Sequence, residues 1–183
     1  MRYLLSVALL WGSLNAALAQ LRPTALITFD RDFNGVGAAG TVPGTPEGSA
    51  VLAPGKFGQA LKSGPGTGYV RYPTASLLRP EGGTVEMWVC PLDWRPAANE
   101  FHVFFDTRGQ GALYLYKFHD DRRLMMLACD NVAGPYAVSS TELDWELGQW
   151  HHIAGTWSAQ GVMAYVDGKP VAAVPTPCKL PQS

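Results

Sequence analysis

An excess of charge of one sign is missing from this 183-residue chain: Lys and Arg number 14 against 15 Asp and Glu, a formal net charge of -1. Without a basic field, neither a nucleic acid backbone nor an anionic bilayer surface is an expected partner. Charged residues are sparse at 16% and hydrophobic ones make up 47%, which argues against long disordered polyelectrolyte segments and suits one hydrophobic core. Cysteine is scarce and odd in number: Cys90, Cys129 and Cys178 leave at least one thiol unpaired within the chain. No C-x-x-C spacing occurs, so structural zinc and thiol exchange both lack their local pattern. The phosphate-loop pattern G-x-x-x-x-G-K-[ST] is absent as well, so Gly55-Lys56-Phe57-Gly58 is not read as one. No segment sustains a helical period, and there are no heptads, fixed-period repeats or low-complexity linkers.

What the chain does contain is 20 glycines and 14 prolines, a composition of many turns. It opens with Arg2, an apolar stretch from Leu4 to Trp11, and Ala17-Leu18-Ala19, the small-x-small pattern that signal peptidase cleaves before Gln20. Residues 1–19 are therefore expected to be an export signal, and the protein secreted, periplasmic or on the extracellular surface. The apolar run is broken by Gly12, Ser13 and Asn15 and is too short for a hydrocarbon core of roughly 30 Å, so no membrane insertion is expected after cleavage. Export allows a disulfide, but Cys90 and Cys129 both lie in apolar strand-like runs where a buried free thiol is an equal alternative.

From Thr24 onward, short runs rich in β-branched and aromatic residues alternate with Gly, Pro, Asn and Asp clusters, which predicts an all-β fold. Strands are expected over Ala25 to Phe29, Gln59 to Lys62, Tyr69 to Tyr72, Thr84 to Pro91, Phe101 to Asp106, Leu113 to Phe118 and Leu124 to Ala128. Three more are expected over Trp150 to Trp157, Val162 to Val166 and Val171 to Val174, the last pair joined by the Asp167-Gly168 hairpin signal. The glycine-rich stretch from Asn34 to Gly48 reads as a surface loop. Thr84 to Pro91 sets Val85, Met87 and Val89 on one wholly apolar face and Glu86, Trp88 and Cys90 on a mixed one, which predicts a central strand. The Trp150 strand is strongly polar on neither face and should be interior.

Several of these segments, in order, resemble the laminin-G-like jelly roll of the concanavalin A-like lectin/glucanase superfamily. They are Leu26-Ile27-Thr28-Phe29-Asp30, Gly55-Lys56-Phe57-Gly58-Gln59-Ala60-Leu61 and Gly83-Thr84-Val85-Glu86-Met87-Trp88-Val89. The most specific piece is Gln149-Trp150-His151-His152-Ile153-Ala154-Gly155-Thr156-Trp157 followed by Ala164-Tyr165-Val166-Asp167-Gly168-Lys169-Pro170-Val171. The resemblance implies a two-sheet antiparallel jelly-roll sandwich over residues 24–183, in a module that binds a glycan or an extracellular protein and in some members holds calcium at one rim. Members of the family close with a further strand of the form F-x-G-x-I-D-E-V-x-I-Y, and nothing of that form follows Val174. The domain is therefore expected to be C-terminally incomplete, or to leave one edge open to another chain.

Chemistry has few places to reside in such a chain. Thr141-Glu142-Leu143-Asp144-Trp145-Glu146 resembles the E-x-D-x-E triplet of lichenase and laminarinase glycosidases, in which alternate residues of a strand line a cleft as nucleophile, tuning carboxylate and acid/base. Glu146, however, lies four positions before Trp150, in a connecting segment, and Leu143, Trp145 and Leu147 form an apolar face that makes the acids a wet side. A β-glucan hydrolase using Glu142, Asp144 and Glu146 is therefore the alternative reading, and a non-catalytic binding module the main one. His151 and His152 are adjacent on a strand and point to opposite faces, so they cannot share a metal, and His102 and His119 stand alone in sequence. No cofactor is expected; the family-style calcium site would use Asp30 and loop carbonyls between Asp32 and Asn34. Exposed aromatic rings stack on sugar rings, and the candidates are Trp94, Tyr116, Tyr136 and Trp145. A structural or adhesive domain with no small-molecule ligand is the third reading.

Overall fold

Alternation along a strand decides which side chains meet in the middle of this protein. The computed structural model describes residues 23–175 apart from 76, 109–111, 120–121, 130–135 and 139–141, with the backbone alone at 108, 112, 127–129 and 136–138. The expected export signal, Cys178 and the side chains of Cys129 and Tyr136 lie outside the described residues.

Small antiparallel sheets come first in the chain. Strands β1 (Ala25–Leu26), β2 (Gly35–Gly37) and β3 (Gly40–Val42) form one; β4 (Thr45–Gly48) pairs with β7 (Gly68–Arg71), and β5 (Val51–Pro54) with β6 (Gln59–Lys62). Two four-stranded antiparallel sheets follow, and they form the sandwich. One runs in the order β12 (Tyr136–Val138), β11 (Leu124–Cys129), β10 (Ala112–Lys117), β9 (His102–Arg108). The other runs in the order β15 (Lys169–Val174), β14 (Gly161–Val166), β13 (His151–Ser158), β8 (Gly83–Val89). No helix occurs among the described residues.

The inner faces of these two sheets make one core. Leu113 and Leu115 of β10 and Leu124 and Met126 of β11 meet Ile153 and Trp157 of β13 and Val162 and Ala164 of β14, all buried. Val85, Met87 and Val89 of β8 pack on the same cluster. Two glycines permit the close approach. A Cβ at Gly155 would run into the sulfur of Met126, and one at Gly83 would stand 2.7 Å from the Trp157 ring. That indole is pinned as well as packed, since its N–H donates to the carbonyl of Arg79 at 3.0 Å.

The Asp167-Gly168 signal forms the expected two-residue hairpin between β14 and β15, with φ of +48° and +76°, the left-handed pair a type I′ turn requires. Two expectations change. The stretch from Asn34 to Gly48 is not one surface loop but carries β2, β3 and β4, whose short, glycine-interrupted pairings have too few side chains to show a period. Among the described residues strand β8 pairs with β13 alone and lies at the edge of its sheet. Its mixed outer face is met by the side chain of Phe57, which follows β5, and not by a further strand. The Trp150 segment is interior as expected, with β13 between β8 and β14.

Candidate binding face

The outer face of the β15-β14-β13-β8 sheet carries the residues whose partners in the alternation fill the core. Glu86 and Trp88 point outward from β8 because Val85, Met87 and Val89 point inward. His152, Ala154 and Thr156 do so from β13, and Tyr165 from β14. Register sets them in rows: Trp88 opposite His152, Glu86 opposite Ala154 and then Tyr165, and Thr84 opposite Thr156. Alanine between a carboxylate and a tyrosine leaves a dip. The resulting open hollow of about 260 Å³ is lined by Thr84, Glu86, His152, Ala154, Thr156, Tyr165 and Gly168.

One end of the hollow is aromatic. Trp88 is 42% exposed and Phe57 69%, unusual values for such large apolar rings. Their ring centroids are 6.1 Å apart at 79°, edge to face, and the His152 imidazole lies 5.2 Å from the indole at 60°. The Lys56 ammonium sits 4.2 Å from the Trp88 ring centroid and 5.6 Å from that of Phe57. His152 Nε2 is 3.6 Å from a carboxylate oxygen of Glu86, so the imidazole stands between the rings and the acid.

Below this face the sheet is held by Asp167. Its carboxylate accepts from the backbone N–H of His152 at 2.9 Å and from Nδ1 of His151 at 2.9 Å. Burial pushes the Asp167 carboxyl up, but these bonds and the two nearby imidazoles outweigh it, and the group is held below its ordinary value. His151 points inward and stacks flat on Trp145, with centroids 4.6 Å apart at 7°. Its Nε2 is buried and has no hydrogen-bond partner among the described residues.

The aromatic residues singled out from sequence take other places. Trp145 is only 4% exposed and belongs to the core, so its face is given to His151 and not to solvent. Tyr116 is also buried, beneath Phe101 at 4.9 Å and Phe118 at 6.4 Å. Trp94 packs against the core and stacks on His102 at 4.1 Å and 19°. Burial holds that imidazole below its usual range, against the opposing hydrogen bond that Glu100 accepts from it. Tyr116 and Trp145 are therefore buried and not the exposed rings expected, while Trp94 is half-buried with its ring stacked on His102. Tyr136 lies in β12, and its side chain is outside the described residues.

The acidic triplet is spread along an extended segment, with Leu143 and Trp145 buried and Glu142, Asp144 and Glu146 exposed. Glu142 pairs with Arg122 at 3.2 Å and Glu146 with Arg95, and none of the three lines the hollow. Around Asp30, the acid named for calcium, side-chain oxygens accept from backbone N–H groups. Asp30 Oδ1 accepts from the N–H of Gln59 at 3.2 Å, Asp32 Oδ1 from Asn34 at 2.7 Å, and the Asn34 side-chain oxygen from Gly44 at 3.1 Å. No group of three or more His, Cys, Asp or Glu side chains that could hold a metal occurs among the described residues. Cys90 is a free, half-buried thiol whose pKa is pushed up by burial.

Trp88 and Phe57 were not among the residues expected to bind. The signal for Trp88 was present, since three apolar neighbours inward force it outward; nothing local places Phe57 beside it. A laminin G family model, described as the concanavalin A-like lectin/glucanases superfamily, matches residues 64–182. No curated protein matches the chain.

Proposed function

The chain belongs to the concanavalin A-like lectin/glucanases superfamily, and from that premise we propose that it is an exported, non-catalytic module that binds glycan through the outer face of the β8-β13-β14 layer. The superfamily fits a binding or lectin-like role. The observation that carries the finer reading is the pair of exposed rings, Trp88 and Phe57, at the end of a hollow edged with carboxylate and hydroxyl groups. An apolar ring face matches the C–H face of a pyranose, while Glu86, Thr84, Thr156 and Tyr165 supply directional bonds to hydroxyls. At about 260 Å³ the hollow takes one ring-sized group, so the rest of a polymer would run along the sheet.

Glycoside hydrolysis needs two working carboxyls flanking one bond. Glu86 is the one carboxylate among the described residues lining the hollow, which supports binding without turnover. Binding without calcium is part of the proposal, supported by the backbone N–H groups that Asp30 Oδ1, Asp32 Oδ1 and the Asn34 side-chain oxygen each accept from. The export part of the proposal is supported by Arg2, the apolar run and Ala17-Leu18-Ala19, and on it the ligand is met outside the cytoplasm.

The test is depletion of the purified protein from solution by insoluble polysaccharides, in EDTA and in added calcium. Depletion by at least one polysaccharide, equal in both buffers and lost in Trp88→Ala, is expected. Release of reducing ends would contradict the non-catalytic reading, and depletion that survives Trp88→Ala would move the site elsewhere.

A further inference from the structure

The corner made by Phe57, Trp88 and His152 already holds a cation. The Lys56 ammonium lies over the indole at 4.2 Å and within 5.6 Å of the phenyl ring, well inside the range in which ring quadrupoles attract positive charge. The two rings stand at 79° to one another and the imidazole closes a third side of the indole at 5.2 Å. This is a corner of walls, not a flat platform. One pleat along the same face of β8 stands the exposed carboxylate of Glu86, which complements a positive group and lies 3.6 Å from His152 Nε2.

Lys56 is a weak tenant. It is exposed, it sits on the four-residue connection between β5 and β6, and its contact with the rings is a solvent-facing one. A ligand ammonium carrying apolar surface of its own can take its place, because the ligand gains ring contact that a lysine tip lacks, while Lys56 returns to water. We propose that the site selects glycans bearing a protonated primary amine, that is, amino sugars without an acyl group, and that Lys56 is an internal competitor for the same corner. This rests on the glycan-binding reading and names the class of sugar within it. The amine enters the Phe57–Trp88 corner, Glu86 balances its charge, and the ring lies over Ala154.

The experiment is calorimetric titration of the protein with a hexamer of glucosamine and, separately, a hexamer of N-acetylglucosamine at the same ionic strength. The glucosamine hexamer is expected to bind about tenfold more tightly. Lys56→Gln should strengthen its binding by about threefold by removing the competitor, and Phe57→Leu and Glu86→Gln should each weaken it by at least about threefold. All three positions are exposed, so the variants fold, as an unchanged near-ultraviolet circular dichroism spectrum will show. Equal affinity for the two hexamers would overturn the inference and leave the glycan reading standing. Weaker binding in Lys56→Gln would also overturn it, by assigning Lys56 to an anionic group of the ligand. Tight binding of the glucosamine hexamer that persists in Trp88→Leu would reduce the effect to bulk charge attraction. Binding of neither hexamer, with no depletion by any polysaccharide, would overturn both readings.

Discussion

Lys117 has no exposed surface, and a buried ammonium must be surrounded by acceptors or it would not stay charged. Its Nζ donates to the carbonyls of Ala98, Glu100 and His119, so one side chain closes the loop before β9 onto the end of β10. Lys117→Met keeps the stem and removes the donor, leaving carbonyls short of a partner, and should cost about 2–4 kcal/mol of stability in a denaturant titration. An unchanged midpoint would show that water reaches those carbonyls. Trp88→Ala offers the opposite case: the ring is 42% exposed and serves no core contact of comparable weight, so stability should fall by less than about 1 kcal/mol while glycan binding is lost. Sequence alone places Trp88 on the outer face, by alternation with Val85, Met87 and Val89. For Trp145 it offers both readings, an apolar face shared with Leu143 and Leu147 and an exposed ring in a connecting segment, and the ring in fact faces His151 in the core. An aromatic in a loop is read as exposed unless the partner that covers it, here a histidine on another strand, is known.

At the scale of the element, β13 is where both sheets are controlled. Gly155 lets Met126 approach, so Gly155→Ala should destabilise the protein by about 1–3 kcal/mol. Adding Met126→Ala should recover part of the loss, and a double-mutant cycle measures that coupling. Full additivity would mean that the two sheets separate freely at this point. The β14–β15 hairpin is tied to β13 by Asp167, whose folded-state pKa lies below its ordinary value of 3.8. Its contribution is therefore present above pH 3.8 and lost as pH falls through the lowered folded value. Asp167→Asn should flatten that part of the stability–pH curve between neutral pH and acid, and an unchanged acid limb would contradict the role given to the carboxylate. The hairpin was legible because Asp-Gly is a two-residue code with a fixed backbone meaning. Strands β2, β3 and β4 were not, because pairings of three or four residues built on glycine and proline are set by contacts from elsewhere in the chain.

The whole molecule presents two aromatic outer faces, one on each large sheet. On the β9–β10 face, Phe101 and Phe118 are part-exposed over Tyr116 and His119. On the β8–β13 face, the rings lie beside polar groups and an open depression of about 260 Å³. The fold class was readable from spacing and motif, since a two-sheet sandwich follows from inward alternation and turn signals. The site was not, because its aromatic wall joins Phe57 to Trp88 across two sheets that share no hydrogen bonds among the described residues. Backbone amide resonances followed during titration with the polysaccharide fragment that binds best will decide between the faces. The account predicts shifts concentrated at Phe57, Glu86, Trp88, His152, Ala154 and Tyr165. Shifts concentrated at Phe101, Val103, Tyr116 and Phe118 instead would contradict it.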